Sequence, residues 1–278
     1  MTRELVLSLF PGVDLLGRAF TETGQFSVVL GPDPIVGGDV RDFVGVPGRF
    51  DGLVGGPPCQ GWSAGNRHRT NPKHHSVRNS VAMLREFVRV TEQSKPDWFV
   101  CENVPAVPDI RVAGYTVQRI PISDQECGGK QIRMRHIQFG SRRGHVIRPE
   151  RVNDRSRNAN KPARGRRPIA VTTKQNSQHL RFTDHCKKQG WPGLKLPGWH
   201  KTAKFKAVGN GVPKSIGLAI AWAVVNRCAP TSDDCPCGCG RVLKGTQTSA
   251  LDSCRKRLQL DRERIRPFVD RNGYYPES

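Results

Sequence analysis

The chain has 278 residues, of which 36% are hydrophobic and 25% charged, and its mean hydropathy is −0.54. This length and composition suit one large α/β domain with a small appendage, and they exclude a collagen-like fibre and a fully disordered chain. The longest apolar run, near residues 216–225, is far shorter than a membrane span. The opening MTRELVLSLF lacks the features of a signal peptide. We therefore expect a cytoplasmic protein without a membrane partner.

The charge is strongly positive, with 45 Lys and Arg against 24 Asp and Glu and a net charge of +21. Such an excess favours a polyanionic partner, most often nucleic acid. Residues 150–206 alone hold fifteen basic and three acidic residues. A solvated, solubilising segment is the alternative interpretation of this block. Aromatic residues interleaved with its charges favour a nucleic-acid surface instead, namely Phe182, Trp191, Trp199 and Phe205.

Strand and helix signals alternate along the chain. Short apolar runs predict strands at 4–10, 26–33, 50–56, 96–104, 115–122 and 133–140. Apolar residues at helical spacing predict helices at 14–23, 79–93 and 212–228, the second of them capped by Asn79 or Ser80. The alternation predicts an α/β fold whose mostly parallel sheet carries helices on both faces.

One cysteine lies in an unusual loop, GGPPCQGWS (55–63), directly after a predicted strand. Two prolines stiffen this loop and its glycines allow tight turns. Cys59 is therefore held at the carboxyl end of a strand, where open α/β sheets bind their ligands. A thiol there can act as a nucleophile, although an inert buried cysteine is the alternative. Asp39 lies at the same edge and could accept hydrogen bonds from a ribose or an adenine amine, or cap a helix.

Six motifs along the chain resemble those of the bacterial or phage type of DNA (cytosine-5) methyltransferases. PPCQGWS is similar to the family's Pro-Cys-Gln motif, with Cys59 as the nucleophile. The other five occur in the family's order, so that the resemblance covers about residues 5–225: LSLFPGVD (7–14), CENV (101–104), QIRMR (131–135), LRFTDHCKKQGWP (180–192) and AVGNGVP (207–213).

The resemblance implies a Rossmann-like sheet that uses S-adenosylmethionine to methylate carbon 5 of cytosine in duplex DNA. Cys59 would add to carbon 6 of a flipped-out base, and Glu102 would donate a proton at N3. Arg133 and Arg135 would point at the base, its phosphate or Glu102. The residues expected to bind the cofactor are Phe10, Gly12, Val13, Asp33, Asp39, Val40, Gly56, Pro58, Asn210, Gly211 and Val212.

The loop at 63–79 resembles the family's mobile loop that closes over DNA. Its histidines, His68, His74 and His75, could form a metal site, but solvated or phosphate-facing histidines are the favoured interpretation.

The first motif departs from the family's pattern at two positions. Asp14 replaces its second glycine, although Gly17 could restore room, and Ser8 replaces its opening aspartate. Asp33, after the second predicted strand, is the stand-in for the acid that binds the ribose hydroxyls. In the last motif, Gly211 replaces the usual serine.

We divide the chain into a catalytic core at 1–148, a short basic target-recognition region at 149–179, a return to the core at 180–228, and a Cys- and Arg-rich tail at 229–278. Four thiolates of this tail could form a closed tetrahedral zinc site, with Cys228 as a spare ligand, or could remain free thiols. These are Cys235, Cys237, Cys239 and Cys254. The basic helix expected after Cys254 would contact phosphates.

The expected partner is duplex DNA, and the protein would act as a monomer, either as an orphan enzyme or beside a cognate restriction enzyme. Two alternatives remain open at this point. One is a methyltransferase acting on cytosine in RNA, such as tRNA, and the other is a non-catalytic DNA-binding relative in which Asp14 has damaged the first motif.

Overall fold

A computed structural model describes residues 2–35, 37–152 and 181–259. The target-recognition region beyond Val152 and the tail beyond residue 259 lie outside the described residues. The strands are β1 (Glu4–Leu9), β2 (Phe26–Leu30), β3 (Gly52–Gly55), β4 (Trp98–Asn103), β5 (Thr116–Ser123) and β6 (Met134–Ser141). The α-helices are α1 (Leu15–Glu22), α2 (His75–Ser94), α3 (Phe182–Lys188), α4 (Lys201–Asn210) and α5 (Lys214–Val225), and a short 3-10 helix spans Val40–Asp42.

The six strands form one sheet in the order β2-β1-β3-β4-β6-β5. The first four run parallel to one another, whereas β6 is antiparallel to β4 and β5 is antiparallel to β6. The mostly parallel α/β sheet expected from the sequence is thus confirmed. The chain passes from β1 outward to β2 and then crosses to β3 on the other side of β1. Open α/β sheets bind ligands at the carboxyl ends of strands at such a reversal of strand order.

Helices cover both faces of the sheet. On one face α1 and α5 pack together, and the ring of Phe20 stacks on Trp98 with centroids 5.8 Å apart. On the other face α2 places Phe87 edge-on against Phe99, also at 5.8 Å between centroids. Because both faces are buried, the central strands are nearly continuous apolar runs without a polar alternation.

Helix α2 begins earlier than the sequence predicts. His74 occupies its N-cap position and accepts a hydrogen bond from the backbone N–H of Ser76 through Nδ1, at 3.4 Å. The prediction that Asn79 or Ser80 caps the helix is therefore wrong, since both lie inside it. An imidazole nitrogen takes the role that a hydroxyl or amide oxygen usually has, and the polar first turn reads as a loop from sequence.

Two aromatic residues of the basic block are core residues. Trp191 is 8% exposed and packs on Leu15 and Ala19 of α1, and Phe205 is 3% exposed. The expectation that these aromatics share a nucleic-acid surface is therefore wrong, because their rings close the hydrophobic core around α1, α3 and α4. Among the described residues of the block, the exposed basic side chains include Lys187, Lys188, Lys195, Lys201 and Lys206.

Among the described residues, no single helix has the length and hydropathy needed to cross a membrane. Only α4 and α5, counted together across the bend between them, reach that length and composition.

The pairing of β4 with β6 leaves no room for a side chain at Gly140. Gly140 lies opposite Phe99, and a Cβ at Gly140 would come within 2.0 Å of that buried ring. We expect Gly140→Ala to lower the free energy of unfolding by about 1–3 kcal/mol, since the ring has no free space to enter. Gly193→Ala is the matched control, because no atom lies within 4 Å of a Cβ there. Equal denaturant midpoints for the two variants would contradict this packing.

Candidate active site

A cavity of about 330 Å³ opens at the reversal of strand order, beyond the carboxyl ends of β1, β3 and β4. Its wall gathers most of the residues that the sequence singles out for catalysis and cofactor binding. These are Phe10, Asp33, Asp39, Val40, Gly56, Pro58, Cys59, Glu102, Arg135 and Asn210.

The other predicted site residues lie close by but are not among the described residues that line the cavity. Gly12 and Val13 belong to the turn between β1 and α1, where Gly12 has a φ of +55°. Val212 is buried in the core, and its carbonyl accepts a hydrogen bond from the Trp191 indole at 3.5 Å. Gly211 precedes it and receives a hydrogen bond from Arg133, at 3.1 Å.

The Cys59 loop is fastened at three points. The Asn103 amide donates to the carbonyl of Pro57 at 3.0 Å, so the end of β4 holds the loop's first half. The backbone N–H of Gly61 donates to Ser80 Oγ on α2, at 2.9 Å. The Asn66 amide donates to the carbonyl of Gln60 at 2.8 Å. These hydrogen bonds fix the backbone on both sides of the thiol.

Gly56 lets this loop pass directly over Glu102. A Cβ at Gly56 would lie 3.1 Å from Glu102 Oε2, which is closer than an ordinary contact. A glycine at this position therefore brings the carboxylate and the start of the Cys59 loop into one wall of the cavity.

Glu102 and Arg135 form a buried ion pair at the base of the cavity. Arg135 Nε lies 2.5 Å from Glu102 Oε1, and the two side chains are only 10% and 9% exposed. Burial raises the pKa of Glu102, and the positive charges of Arg135 and Arg133 oppose that rise. The carboxyl group is thus easier to protonate than an exposed glutamate while it keeps a fixed orientation.

Arg133 has a different place from Arg135. Its Nη2 donates to the carbonyls of Gly209 and Gly211, at 2.5 and 3.1 Å, so it holds the connection between α4 and α5. Burial, followed by repulsion from Arg135, lowers its pKa to about 9. Arg135 thus forms the ion pair with Glu102, and the positive charge of Arg133 also acts on that carboxylate.

The Cys59 thiol lies between opposing electrostatic influences. Burial raises its pKa and the nearby Glu102 carboxylate raises it further, whereas Arg135 and Arg133 act in the opposite direction. The net shift is upward, so Cys59 is a protonated thiol in the free protein at neutral pH.

Asp14, the departure in the first motif, turns its side chain back toward β1. Ser8 Oγ donates to Asp14 Oδ1 at 2.8 Å, and Asp14 has left-handed backbone geometry with a φ of 53°. Gly17 makes the room, since a Cβ there would lie 2.4 Å from the Asp14 carboxylate oxygens. Burial raises the pKa of Asp14 to about 6. Ser8 and Asp14, the two departures from the motif, are therefore hydrogen-bonded to each other.

Hydrogen bonds hold two carboxylates in the wall of the cavity, Asp33 and Asp39. Asp33 Oδ1 accepts a hydrogen bond from the Ile35 N–H at 2.8 Å, which fixes the turn after β2. Asp39 binds the Arg41 guanidinium and backbone N–H, and these hydrogen bonds lower the pKa of Asp39 to about 2. Both carboxylates are therefore oriented before any ligand enters.

The three histidines of the 63–79 loop stack on one another. The rings of His68 and His74 are 4.2 Å apart, and those of His74 and His75 are 4.3 Å apart. Within the part of the chain that the structure describes, the one group of side chains placed to share a metal ion is the four tail cysteines. The histidine stack therefore gives no support to a metal site in this loop.

Sequence reasoning missed several residues of the wall. Asn79 and Met83 lie four apart on α2 and so present the same face to the cavity. The apolar spacing of this helix predicts only its core face, and Asn79 is predicted as a cap. Asn103 was visible inside the CENV motif, but its role in holding the Cys59 loop could not be derived from it. Gln60 and Arg41 also line the wall.

Comparison with known proteins agrees with this geometry. The family model of C-5 cytosine-specific DNA methylases matches residues 34–190, more than half of the chain. The chain belongs to this family. Type II methyltransferase M1.HphI of Haemophilus parahaemolyticus is 31% identical over 116 residues, which are 36% of this chain and 29% of that protein. Type II methyltransferase M.FnuDI of Fusobacterium nucleatum is 27% identical over 169 residues, which are 50% of this chain and 47% of that protein.

The matches to these curated relatives span less than half of the relatives' own length. Among solved structures, Entamoeba histolytica methyltransferase EhMeth aligns with 81% of this chain and 99% of its own, with a TM-score of 0.53 at 11% sequence identity. This likeness shows that the two proteins share a fold.

The placement of Glu102 predicts a change in thiol reactivity. In Glu102→Gln the negative charge that raises the Cys59 pKa is gone while Arg135 remains, so the Cys59 pKa should fall. Alkylation of Cys59 by iodoacetamide at neutral pH should become several-fold faster, because only the thiolate reacts. Mass spectrometry of the Cys59 peptide measures the rate, with Cys127 in the same sample as the control. A pH profile of alkylation identical to that of the wild type would contradict the assigned interaction.

The buried Asp14 predicts a pH-dependent gain of stability in Asp14→Asn. Because the folded-state pKa lies above the ordinary value, Asp14 costs stability as pH rises through about 4 to 6. Asparagine tolerates the left-handed backbone and still accepts from Ser8. Denaturant unfolding at pH 8 should show the variant more stable by about 2 kcal/mol. The difference should vanish at pH 4, and a gain of equal size at both pH values would exclude the ionisation as its cause.

Proposed function

We propose that the protein methylates carbon 5 of cytosine in duplex DNA, with S-adenosylmethionine as methyl donor and a transient covalent bond between Cys59 and a flipped-out base. One observation carries the proposal: a thiol on a fixed loop and a buried Glu102–Arg135 pair share a single cavity at the reversal of strand order. Family membership supplies the reaction class.

The cavity suits the cofactor by its position and its wall. Its volume of about 330 Å³ lies at the lower end of the range for small-molecule sites. Phe10 follows β1, and Asp33 and Asp39 follow β2, so one apolar ring and two carboxylates are available to an adenosyl group. When bound, S-adenosylmethionine supplies a methyl group activated by a sulfonium.

Cys59 would open the reaction. As its sulfur bonds to carbon 6, the thiol loses its proton and carbon 5 gains the electron density needed to accept the methyl group. Once carbon 5 has taken the methyl group, the donor is left as a neutral thioether. Carbon 5 would then lose its own proton to a base, and the bond between Cys59 Sγ and carbon 6 would break to release the thiolate. The raised pKa of Cys59 means that the thiol must lose its proton when the target base enters.

Glu102 and Arg135 would act on the opposite side of the ring. A protonated Glu102 can donate to N3 of cytosine, which offsets the negative charge that develops when sulfur adds to carbon 6. Arg135 holds the carboxyl group through Nε and keeps it aimed into the cavity. The upward shift in the Glu102 pKa favours this donor form.

Duplex DNA would approach the side of the sheet that carries α3 and α4. Lys187, Lys188, Lys201 and Lys206 are exposed there and can neutralise phosphates. The target base must leave the stack to reach Cys59, because a stacked base does not expose carbon 6 to a side chain. Because the curated relatives are named type II methyltransferases, we propose a cognate restriction enzyme as a partner. We keep the expectation of a monomer that acts in the cytoplasm.

The direct test is transfer of a radiolabelled methyl group from S-adenosylmethionine to duplex DNA and, separately, to tRNA. Label in duplex DNA, located at cytosine carbon 5 by sequencing, supports the proposal. Label in tRNA alone would replace the DNA assignment with an RNA one. DNA binding with no transfer to either substrate would establish a non-catalytic relative.

The covalent step predicts a trap that depends on Cys59. Duplex DNA containing 5-fluorocytosine should remain bonded to the wild-type protein after denaturation, because its carbon 5 has no proton to lose. Cys59→Ser should form no such complex and should lose methyl transfer, while its DNA affinity stays within about two-fold, since phosphate contacts supply most of it. Cys127→Ser is the matched control and should trap DNA normally. A trapped complex with Cys59→Ser would remove Cys59 from the mechanism.

A further inference from the structure

We infer that Cys235, Cys237, Cys239 and Cys254 bind one Zn²⁺ ion as four thiolates, and that this metal holds the tail against the antiparallel end of the sheet. The four Sγ atoms all lie within 4.8 Å of one another, and the four residues are only 1% to 8% exposed. This site lies apart from the Cys59 cavity and does not depend on the proposed reaction.

The distances between the sulfurs fit a tetrahedral metal site. Cys235 Sγ lies 3.5 Å from Cys237 Sγ, and Cys254 Sγ lies 3.7 Å from Cys239 Sγ. Four sulfurs at the usual Zn–S distance would be about 3.8 Å apart at the corners of a tetrahedron. A disulfide would require about 2.05 Å. All four cysteines are free thiols in the structure.

The backbone of the CPCGCG segment explains how three alternate cysteines converge. In an extended strand their side chains would share a face but spread over too great a length to meet at one ion. Gly238 and Gly240 both have a φ of +70°, and the Gly238 N–H donates to the Cys235 carbonyl at 2.9 Å. These turns curl the segment around the sulfurs. Glycine is needed at both positions because other residues rarely adopt this geometry.

A backbone donor also points at the cluster. The N–H of Ala250 lies 3.4 Å from Cys235 Sγ, a hydrogen bond that brings the loop before Cys254 against the CPCGCG segment. Donors of this kind stabilise negative charge on metal-bound sulfur.

The tail has too little core to fold by apolar burial alone. Within its described part, 229–259, the side chains packed around the cysteines are Leu243, Ala250, Leu251 and Leu258, all only partly buried. The regular structure there is the Asp234–Val242 bridge and a helix at 252–259. Segments of this size usually fold with the free energy of metal binding.

Positively charged side chains beside the cluster favour four thiolates there. Binding of one Zn²⁺ by four thiols releases four protons to solvent and leaves the site with a net charge of −2. Two buried guanidiniums lie next to it and share the Glu126 carboxylate, from Arg151 at 3.0 Å and Arg241 at 2.5 Å. Arg151 also donates to the carbonyl of Cys239 at 3.3 Å. With the Glu126 carboxylate counted, these groups carry a net charge of +1, which would offset part of the buried negative charge.

The same segment is anchored to the sheet. Arg148, after β6, binds Asp234 through two hydrogen bonds of 2.7 and 2.6 Å. Gly240 packs so closely on the carbonyl of Ile147 that a Cβ would lie 2.9 Å from it, and Gly238 lies over β5 beside Arg119. An edge strand left uncovered invites unwanted pairing, and the tail covers β5. The metal would keep this cover in place.

The metal would also position the basic helix at 252–259. Cys254 lies in the first turn of this helix, and Arg257 donates to the carbonyl of Arg119 on β5 at 3.4 Å. Arg255 and Lys256 are exposed on it. Fixing Cys254 to the cluster therefore fixes two exposed cations relative to the sheet.

Metal analysis of the purified full chain tests the site directly. We expect about one zinc per chain in the wild type and in Cys228→Ser, the matched control just before the tail and outside the cluster. Cys237→Ala and Cys254→Ala should retain less than a tenth of that zinc. Cobalt added to chelator-stripped protein should give the ligand-field absorption of a tetrahedral tetrathiolate. Zinc absent from the wild type, iron in its place, or two disulfides found by mass spectrometry would each overturn the proposal.

Hydrogen exchange separates a loss of the site from a failure to fold. Chelator treatment of the wild type should speed amide exchange in residues 229–259 and leave β1, β3 and β4 protected, and added zinc should reverse the change. Unchanged exchange in the tail after complete zinc removal would contradict the holding role. Because methyl transfer is not the readout, a protein inactive on DNA would still decide this question.

Discussion

The buried ion pair between Glu102 and Arg135 is the contact on which the arrangement of the site depends, and it exists because β6 runs against β4. Glu102 is near the carboxyl end of β4, and an antiparallel neighbour must begin where β4 ends. Arg135 therefore enters the sheet beside Glu102, whereas a parallel β6 would begin at the opposite edge. Removing both charges from water is costly, so each is tolerated only while the other is present. The pair in turn fixes the carboxylate under Gly56, at the start of the Cys59 loop.

This geometry influences the protonation state of the Cys59 thiol, the proposed nucleophile. A lone buried cysteine near two guanidiniums would be expected to ionise more easily, yet burial and Glu102 outweigh Arg135 and Arg133, and the pKa of Cys59 is raised. A protonated thiol is less exposed to oxidation and alkylation when no DNA is bound. In the proposed reaction, ionisation of Cys59 would accompany entry of the base, and protonation of Glu102 at that moment would favour the thiolate. In the proposed reaction, protonation of Glu102 and ionisation of Cys59 would therefore be linked, because the negative charge of Glu102 raises the pKa of Cys59.

The sequence predicts the parts of this site that depend on neighbours along the chain. The strand before Cys59, the apolar strand that ends at Glu102 and the order of the elements all follow from local patterns. Contacts with distant partners do not: Arg133 binds carbonyls of the α4–α5 connection, more than seventy residues away. The place of Asp14 in the first motif could not be predicted either, because it depends on Ser8 and Gly17, which surround the Asp14 carboxylate in the folded chain. The position of Trp191 is predicted wrongly because the sequence does not distinguish an aromatic ring that faces DNA from one that packs in the core.

The reversed strand that supplies Arg135 has a consequence at the far end of the sheet. Because β6 is antiparallel to β4 and returns from β5, the sheet ends in β5, whose outer edge has no strand beside it among the described residues. The tail covers this edge strand, since Gly238 lies over β5 and Arg257 donates a hydrogen bond to the carbonyl of Arg119. A tail too small for a core of its own needs a cross-link to do this, and four converging thiols provide the ligands for one. The strand direction that places Arg135 beside Glu102 therefore also leaves β5 as the edge strand that the tail covers, and the proposed metal would hold the tail there.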